Sequence, residues 1–153
     1  MAHGIASHIA DAFFHPGRAG PVRRPRLYDG VQHRYSSVYR LSGLTLKNVL
    51  LHDKSGKLRP EYLAALPFDS SYCQFVVRDG QFRSDNSAAD ARLQGYSYPS
   101  IALSYHSVPI LNPSGEIWGT LSHFDTSPLP LADEEFELLK GAAPLLAGFL
   151  VEG

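Results

Sequence analysis

The sequence predicts an α+β domain: an antiparallel sheet of five to six strands with amino- and carboxy-terminal helices packed on one face. Three observations predict it. Short runs of alternating apolar character recur through the middle of the chain, the pattern of half-buried strands. Asn112-Pro113-Ser114-Gly115 is a strong turn between two such runs, because Pro presets one backbone angle and Gly permits a positive one. A broad apolar helical face then occupies residues 133–151. The 153 residues fit one domain, and a chain of that length buries roughly 70% of the surface it exposes when unfolded.

Taken in order, residues 5–14 place Ile5, Ile9 and Phe13 at helical spacing, so a short amphipathic helix is expected there. Residues 15–29 mix prolines and glycines with Arg18, Arg23, Arg24 and Arg26, the composition of a surface linker. Residues 1–30 are therefore read as a helix and a Pro/Arg-rich linker, and residues 31–153 as one folded unit. Gln32 to Leu41 and Leu44 to His52 read as a hairpin turning at Ser42-Gly43. Arg59 to Leu66 reads as a short helix with Pro60 in its first turn, stopped by Pro67. Gln74 to Val77 reads as a strand, Arg78-Asp79-Gly80 as a turn, and Ser87 to Leu93 as a helical turn. Ile101 to Leu111 and Glu116 to Phe124 form the strongest hairpin. Asp133 to Val151 is the closing helix, with Glu134, Glu135 and Glu137 near the favourable end of its dipole. Pro144 is expected to bend or interrupt it.

Fourteen basic and fifteen acidic residues give a formal charge of −1, so the chain has no excess positive field to draw a nucleic acid or an acidic membrane. The run Arg23, Arg24 and Arg26 reads as a solvated linker rather than a nucleic-acid contact. No stretch has the length of apolar residues that spans a bilayer, and residues 1–14 lack a secretory core. One cysteine, Cys73, excludes an intramolecular disulfide and suits a reducing compartment, so the expected location is cytoplasmic. The seven histidines show no pair at metal-ligand spacing, and no metal site is expected. His106 and His123, on strands expected to pair, are the exception as near neighbours. No phosphate-binding or dinucleotide motif occurs, and neither Ser71 nor Ser122 sits in a nucleophile turn.

The most specific pattern runs from Ser71 to Phe149. It reads Ser-Tyr-Cys-Gln-Phe-Val at 71–76, Ser-Asp-Asn followed by Asp90-Ala91-Arg92-Leu93, and Tyr105-His106-Ser107-Val108-Pro109-Ile110. Gly115-Glu116-Ile117-Trp118-Gly119-Thr120-Leu121-Ser122-His123-Phe124-Asp125 then precedes the closing helix. In order and spacing this resembles the second half of a GAF domain, a small sensory module. The likeness extends over roughly residues 32–151. Residues 1–30 match nothing in the pattern, and Ser122 stands where many relatives carry a cysteine.

The resemblance implies a non-covalent small-molecule pocket beside the sheet. Tyr72, Cys73, Phe75, Tyr105, Trp118, Thr120 and Ser122 come from the segments that wall it in similar domains, and Asp90 lies in a pattern that follows the ligand-facing loop. By alternation Trp118, Thr120 and Ser122 share one strand face and Leu121 with His123 the other. No covalent chromophore is expected, since the Cys-His pair of bilin-binding relatives is missing around Cys73. GAF proteins that reduce free methionine-R-sulfoxide look dependent on a set of cysteines for attack and resolution, and one thiol cannot resolve itself. The expectation is therefore no enzyme and no catalytic residue. It includes an unidentified ligand, a homodimer formed through the terminal helices and a signalling partner protein. The alternatives are a dimerisation module without ligand and a thiol-dependent reductase using Cys73.

Overall fold

The computed structural model describes residues 31–93 and 102–151. The helix expected over residues 5–14 and the linker after it lie outside the described residues. Six strands form one antiparallel sheet: β1 (Tyr35–Ser42), β2 (Thr45–Asp53), β3 (Ala65–Pro67), β4 (Phe82–Ser84), β5 (Ser104–Leu111) and β6 (Ile117–Asp125). Their order across the sheet is β3-β2-β1-β6-β5-β4. Among the described residues two α-helices accompany it, α1 (Cys73–Asp79) and α2 (Asp133–Leu150). The α+β class and the antiparallel sheet agree with the sequence.

The two long hairpins follow from their turns. Gly43 adopts φ 62° between β1 and β2. Between β5 and β6 the Asn112 side-chain oxygen accepts hydrogen bonds from the Ser114 and Glu116 amides at 3.1 and 3.0 Å, and Gly115 takes φ 88°. These local bonds fix the register. It places His106 opposite His123 and Ser107 opposite Ser122. The hairpins join through β1 and β6, in the middle of the sheet.

Two elements differ from the sequence reading, and at Pro144 the expected interruption is absent. Gln74 to Val77 is not a strand: Cys73–Asp79 is a helix, closed by Gly80 at φ 83° with its amide bonded to the Val76 carbonyl at 2.8 Å. The β-branched pair Val76-Val77 suggested a strand, but the buried positions Tyr72, Cys73, Phe75 and Val76 have helical spacing. Arg59 to Leu66 is a single 3-10 turn, Glu61–Leu63, running into β3, which pairs with the edge of β2. The closing helix passes through Pro144, which lies on an exposed position while Ala142, Ala143 and Leu146 are buried around it.

Each sheet face carries its own core. On one side Val38, Leu50, Val108, Ile110 and Leu121 pack with Phe136, Leu139, Ala142 and Leu146 of α2. On the other, Tyr35, Tyr39, Tyr105 and Phe124 pack with Tyr72, Cys73, Phe75 and Val76 at α1 and with Phe82 and Leu93. The first core is aliphatic and the second largely aromatic.

Candidate functional site

The α1 side of the sheet holds a buried cluster of neutral polar groups. Cys73 enters from the first turn of α1, Tyr105 and Ser107 from β5, and Thr120 and Ser122 from β6. The Cys73 sulfur lies 3.2 Å from the Tyr105 hydroxyl and 3.4 Å from the Thr120 hydroxyl. Ser122 lies 3.1 Å from the Tyr105 oxygen and 2.7 Å from the Ser107 oxygen, and Ser107 donates to the Leu121 carbonyl at 3.2 Å. Antiparallel register puts Ser37, Ser122 and Ser107 side by side on three adjacent strands. The Ser37 hydroxyl is buried and has no hydrogen-bond partner among the described residues. Leaving such a group unpaired costs about 1–3 kcal/mol.

Aromatic rings frame this row. Tyr35 stacks on Phe124 at 4.8 Å, Tyr72 meets Tyr105 edge-on at 5.3 Å, and Phe75 stacks on Phe82 at 5.0 Å. Tyr39 donates to the Leu63 carbonyl at 2.7 Å. Burial pushes the Cys73 thiol and the Tyr105 phenol above their ordinary values, so both are neutral at physiological pH. The buried cluster offers hydrogen bonds and ring faces to a guest and no formal charge of its own, while the Arg34, Arg78 and Arg92 guanidinium groups lie over the framing rings of Tyr35, Phe75 and Phe82. In this conformation Cys73 is a thiol, not a thiolate nucleophile.

Six of the eight residues read from the sequence meet here: Tyr72, Cys73, Phe75, Tyr105, Thr120 and Ser122 all belong to this face. Trp118 does not. A register shift between Ile110 and Leu111 breaks the alternation opposite it, and its ring packs against the aliphatic core under α2 with the Arg40 guanidinium 5.6 Å away. Asp90 stands apart too, held by Arg92 at 2.6 Å in a pair that keeps its carboxyl down at about 2. Sequence reasoning passed over Ser37 and Ser107. The signal was there in Tyr35-x-Ser37-x-Tyr39 and Tyr105-x-Ser107, small hydroxyl residues on an otherwise aromatic strand face.

Among the described residues no group of three or more His, Cys, Asp and Glu side chains is placed to hold a metal ion. His106 and His123 are direct neighbours, as the expected pairing put them. A separate groove of about 420 Å³ runs along the uncovered part of β5, between α2 and the α1–β4 turn, lined by Val108, Pro109, Ala143, Pro144 and Ala147. No helix of the described residues is long and apolar enough to cross a membrane.

A family model for the GAF domain matches residues 26–150. No curated protein resembles the chain closely enough to be matched. Among solved structures, the type II free methionine-R-sulfoxide reductase of Thermoplasma acidophilum superposes with a TM-score of 0.70 at 15% identity, over 98% of this chain and 95% of that one. The GAF domain of an Acinetobacter phosphoenolpyruvate-protein phosphotransferase gives 0.63 at 18% identity, over 81% and 75%. The free methionine-R-sulfoxide reductase of Neisseria meningitidis, solved with its substrate, gives 0.58 at 20% identity, over 81% and 71%. Such identities carry the fold alone. They nevertheless correct the expectation of no enzyme: counting thiols set this chain apart from the reductases, whereas its backbone superposes on them along most of its length.

Proposed function

Because the chain belongs to the GAF domain family, a family of regulatory and sensory domains, we propose that it binds a small uncharged molecule non-covalently against the Ser37–Ser122–Ser107 row and signals the event through α2 to a partner protein. The buried, unpaired Ser37 hydroxyl carries this reading. A guest that accepts from or donates to it would remove its penalty and extend the chain of hydroxyls that ends at Tyr105. The neutrality of every side chain in the cluster favours an uncharged guest, since a buried charge needs a partner. Strands β5 and β6 supply the link to α2, because they carry Tyr105 and Ser122 on one face and Val108 and Leu121, under α2, on the other. A signal needs the ligand to bind two arrangements unequally.

Native mass spectrometry of protein purified from cells tests this, followed by thermal melting against a panel of neutral metabolites. The expected result is a small mass lost on denaturation, or a compound giving about 2.7 kcal/mol of stabilisation at 100 times its Kd. The shift is expected to shrink in Ser37→Ala and Tyr105→Phe. Protein that is empty and unmoved by the panel would overturn it.

A second reading is self-association through α2, favoured by Leu138, Leu145 and Phe149, which are 38%, 57% and 59% exposed at seven- and four-residue steps along one stripe. Light scattering of the wild type against Leu145→Glu tests it, a dimer that becomes a monomer being the expected result. The reductase neighbours supply a third. The sulfoxide oxygen would pass to Cys73 as a sulfenic acid, releasing methionine, and a thiol from another molecule would then condense with it, releasing water. Turnover of free methionine sulfoxide that disappears in Cys73→Ser would establish it.

A further inference from the structure

We propose that a row of buried histidines makes the seating of α2 on the sheet acid-sensitive, so that mild acid frees the residues leading into α2 and its first turns before the rest of the domain opens. His33, His106 and His123 are each fully buried on the α2 side. Register sets His52, Ser36, His123, His106 and Arg83 in one line across β2, β1, β6, β5 and β4. The Ser36 hydroxyl lies 2.7 Å from His123 Nδ1, and the His33 ring meets His106 edge-on at 5.2 Å. The Leu129 backbone favours the charged forms of both His33 and His106, less strongly than burial opposes them.

The charges around His106 are arranged against a second cation, while at His33 Asp125 and Asp85 favour the charged form and burial outweighs them. Arg83 has its Nε 3.5 Å from His106 Nδ1, donates to the Leu131 carbonyl at 2.6 Å, pairs with Asp133 at 2.9 Å and lies 4.4 Å over the Phe136 ring. Lys54, bonded to the Val31 carbonyl, adds positive charge near His33. Asp125 accepts from the Arg34 amide at 2.7 Å, Asp133 is taken by Arg83, and Asp85, 3.5 Å from His106 Nε2, is 64% exposed. Glu135, in the first turn of α2, is half-buried.

Burial lowers His33, and burial, His33 and Arg83 bring His106 down to about 4. Both groups therefore bind protons more readily once opened, and their stabilising contribution is full above about pH 6.5 and lost as pH falls toward 4. At pH 5 one histidine that regains its ordinary value on opening favours the open form ~30-fold. The parts nearest the row are the ones to give: Leu129, whose amide bonds to the Asp85 carbonyl at 3.0 Å, Leu131 and Phe136.

Amide exchange on the full chain at pH 7.5 and 5.0, corrected for intrinsic rates, tests this with Trp118 fluorescence as a second readout. Residues 126–140 are expected to lose protection at least 10-fold more than the β1–β2 hairpin, and His106→Gln to abolish most of that excess. Equal loss in all segments, or an excess unchanged in His106→Gln, overturns the proposal. The wild-type imidazole titrations give a check that needs no variant: His106 protonating near pH 6.5 while 126–140 stays protected also overturns it.

Discussion

The two faces of one sheet have been built with different materials. Toward α1 the core is aromatic, dotted with hydroxyls and one thiol, and holds no formal charge at neutral pH. Toward α2 it is aliphatic at the helix and ionisable at the end where the helix begins, with three histidines beside Arg83 and Lys54. The same strands serve both. Under the proposed reading, recognition and response are separated by the thickness of a sheet: polar groups that do not titrate would suit a guest held at any pH, and groups that titrate would suit an element that moves.

The division between the two faces is most vulnerable at the position where they are sorted. Gly119 follows Trp118 at the irregularity in β6, and a methyl group there would overlap the Tyr39 carbonyl, a backbone atom that cannot swing away. Gly119→Ala is expected to destabilise by about 3 kcal/mol or more in urea unfolding and to shift Trp118 emission. An effect below 1 kcal/mol would mean that the bulge does not set the two faces.

A medium effect is expected inside the neutral cluster. Tyr105→Phe removes the oxygen that meets both Cys73 and Ser122, for a loss of about 1–2 kcal/mol with little dependence on pH between 5 and 7.5. A strong pH dependence would contradict the assignment of titrating groups to the other face. Cys73 provides a probe that leaves the fold alone: in native protein its reaction with an aromatic disulfide reagent is expected to be ~100-fold slower than in urea-unfolded protein, because burial raises its pKa and blocks access.

The smallest effect belongs to the rim. Asp90→Asn breaks a pair with Arg92 that is half open to solvent, and a loss of about 0.5–1 kcal/mol is expected. Since the pair lowers the Asp90 pKa to about 2, its contribution is present above about pH 4 and fades as pH falls toward 2. That window lies below the one set by His33 and His106, so acid titration of the variant separates the two.

What the sequence disclosed was what its local signals encode. The β5–β6 hairpin was legible because Asn112, Pro113 and Gly115 specify the turn themselves, and α2 because its apolar face repeats over 18 residues. α1 was misread because seven residues with Phe75, Val76 and Val77 suit either element, and packing decided between them. β3 and β4 have three residues each and exist as strands only through their partners. Trp118 changed sides through a one-residue irregularity that no alternation rule contains. Each serine of the row stands on a visibly aromatic strand face, but the alignment of Ser37 with Ser122, 85 positions along the chain, is encoded by no local pattern.

The seam between β1 and β6 has a further consequence for how the protein is made. Each outer hairpin can form by itself, yet the middle of the sheet closes only when the last strand reaches the first. A nascent chain emerging from the ribosome therefore carries β1 with one flank unsatisfied until residues 117–125 are released, an open template for stray pairing. A chain released without residues 117–125 should depend on holding chaperones in a way that the full chain does not.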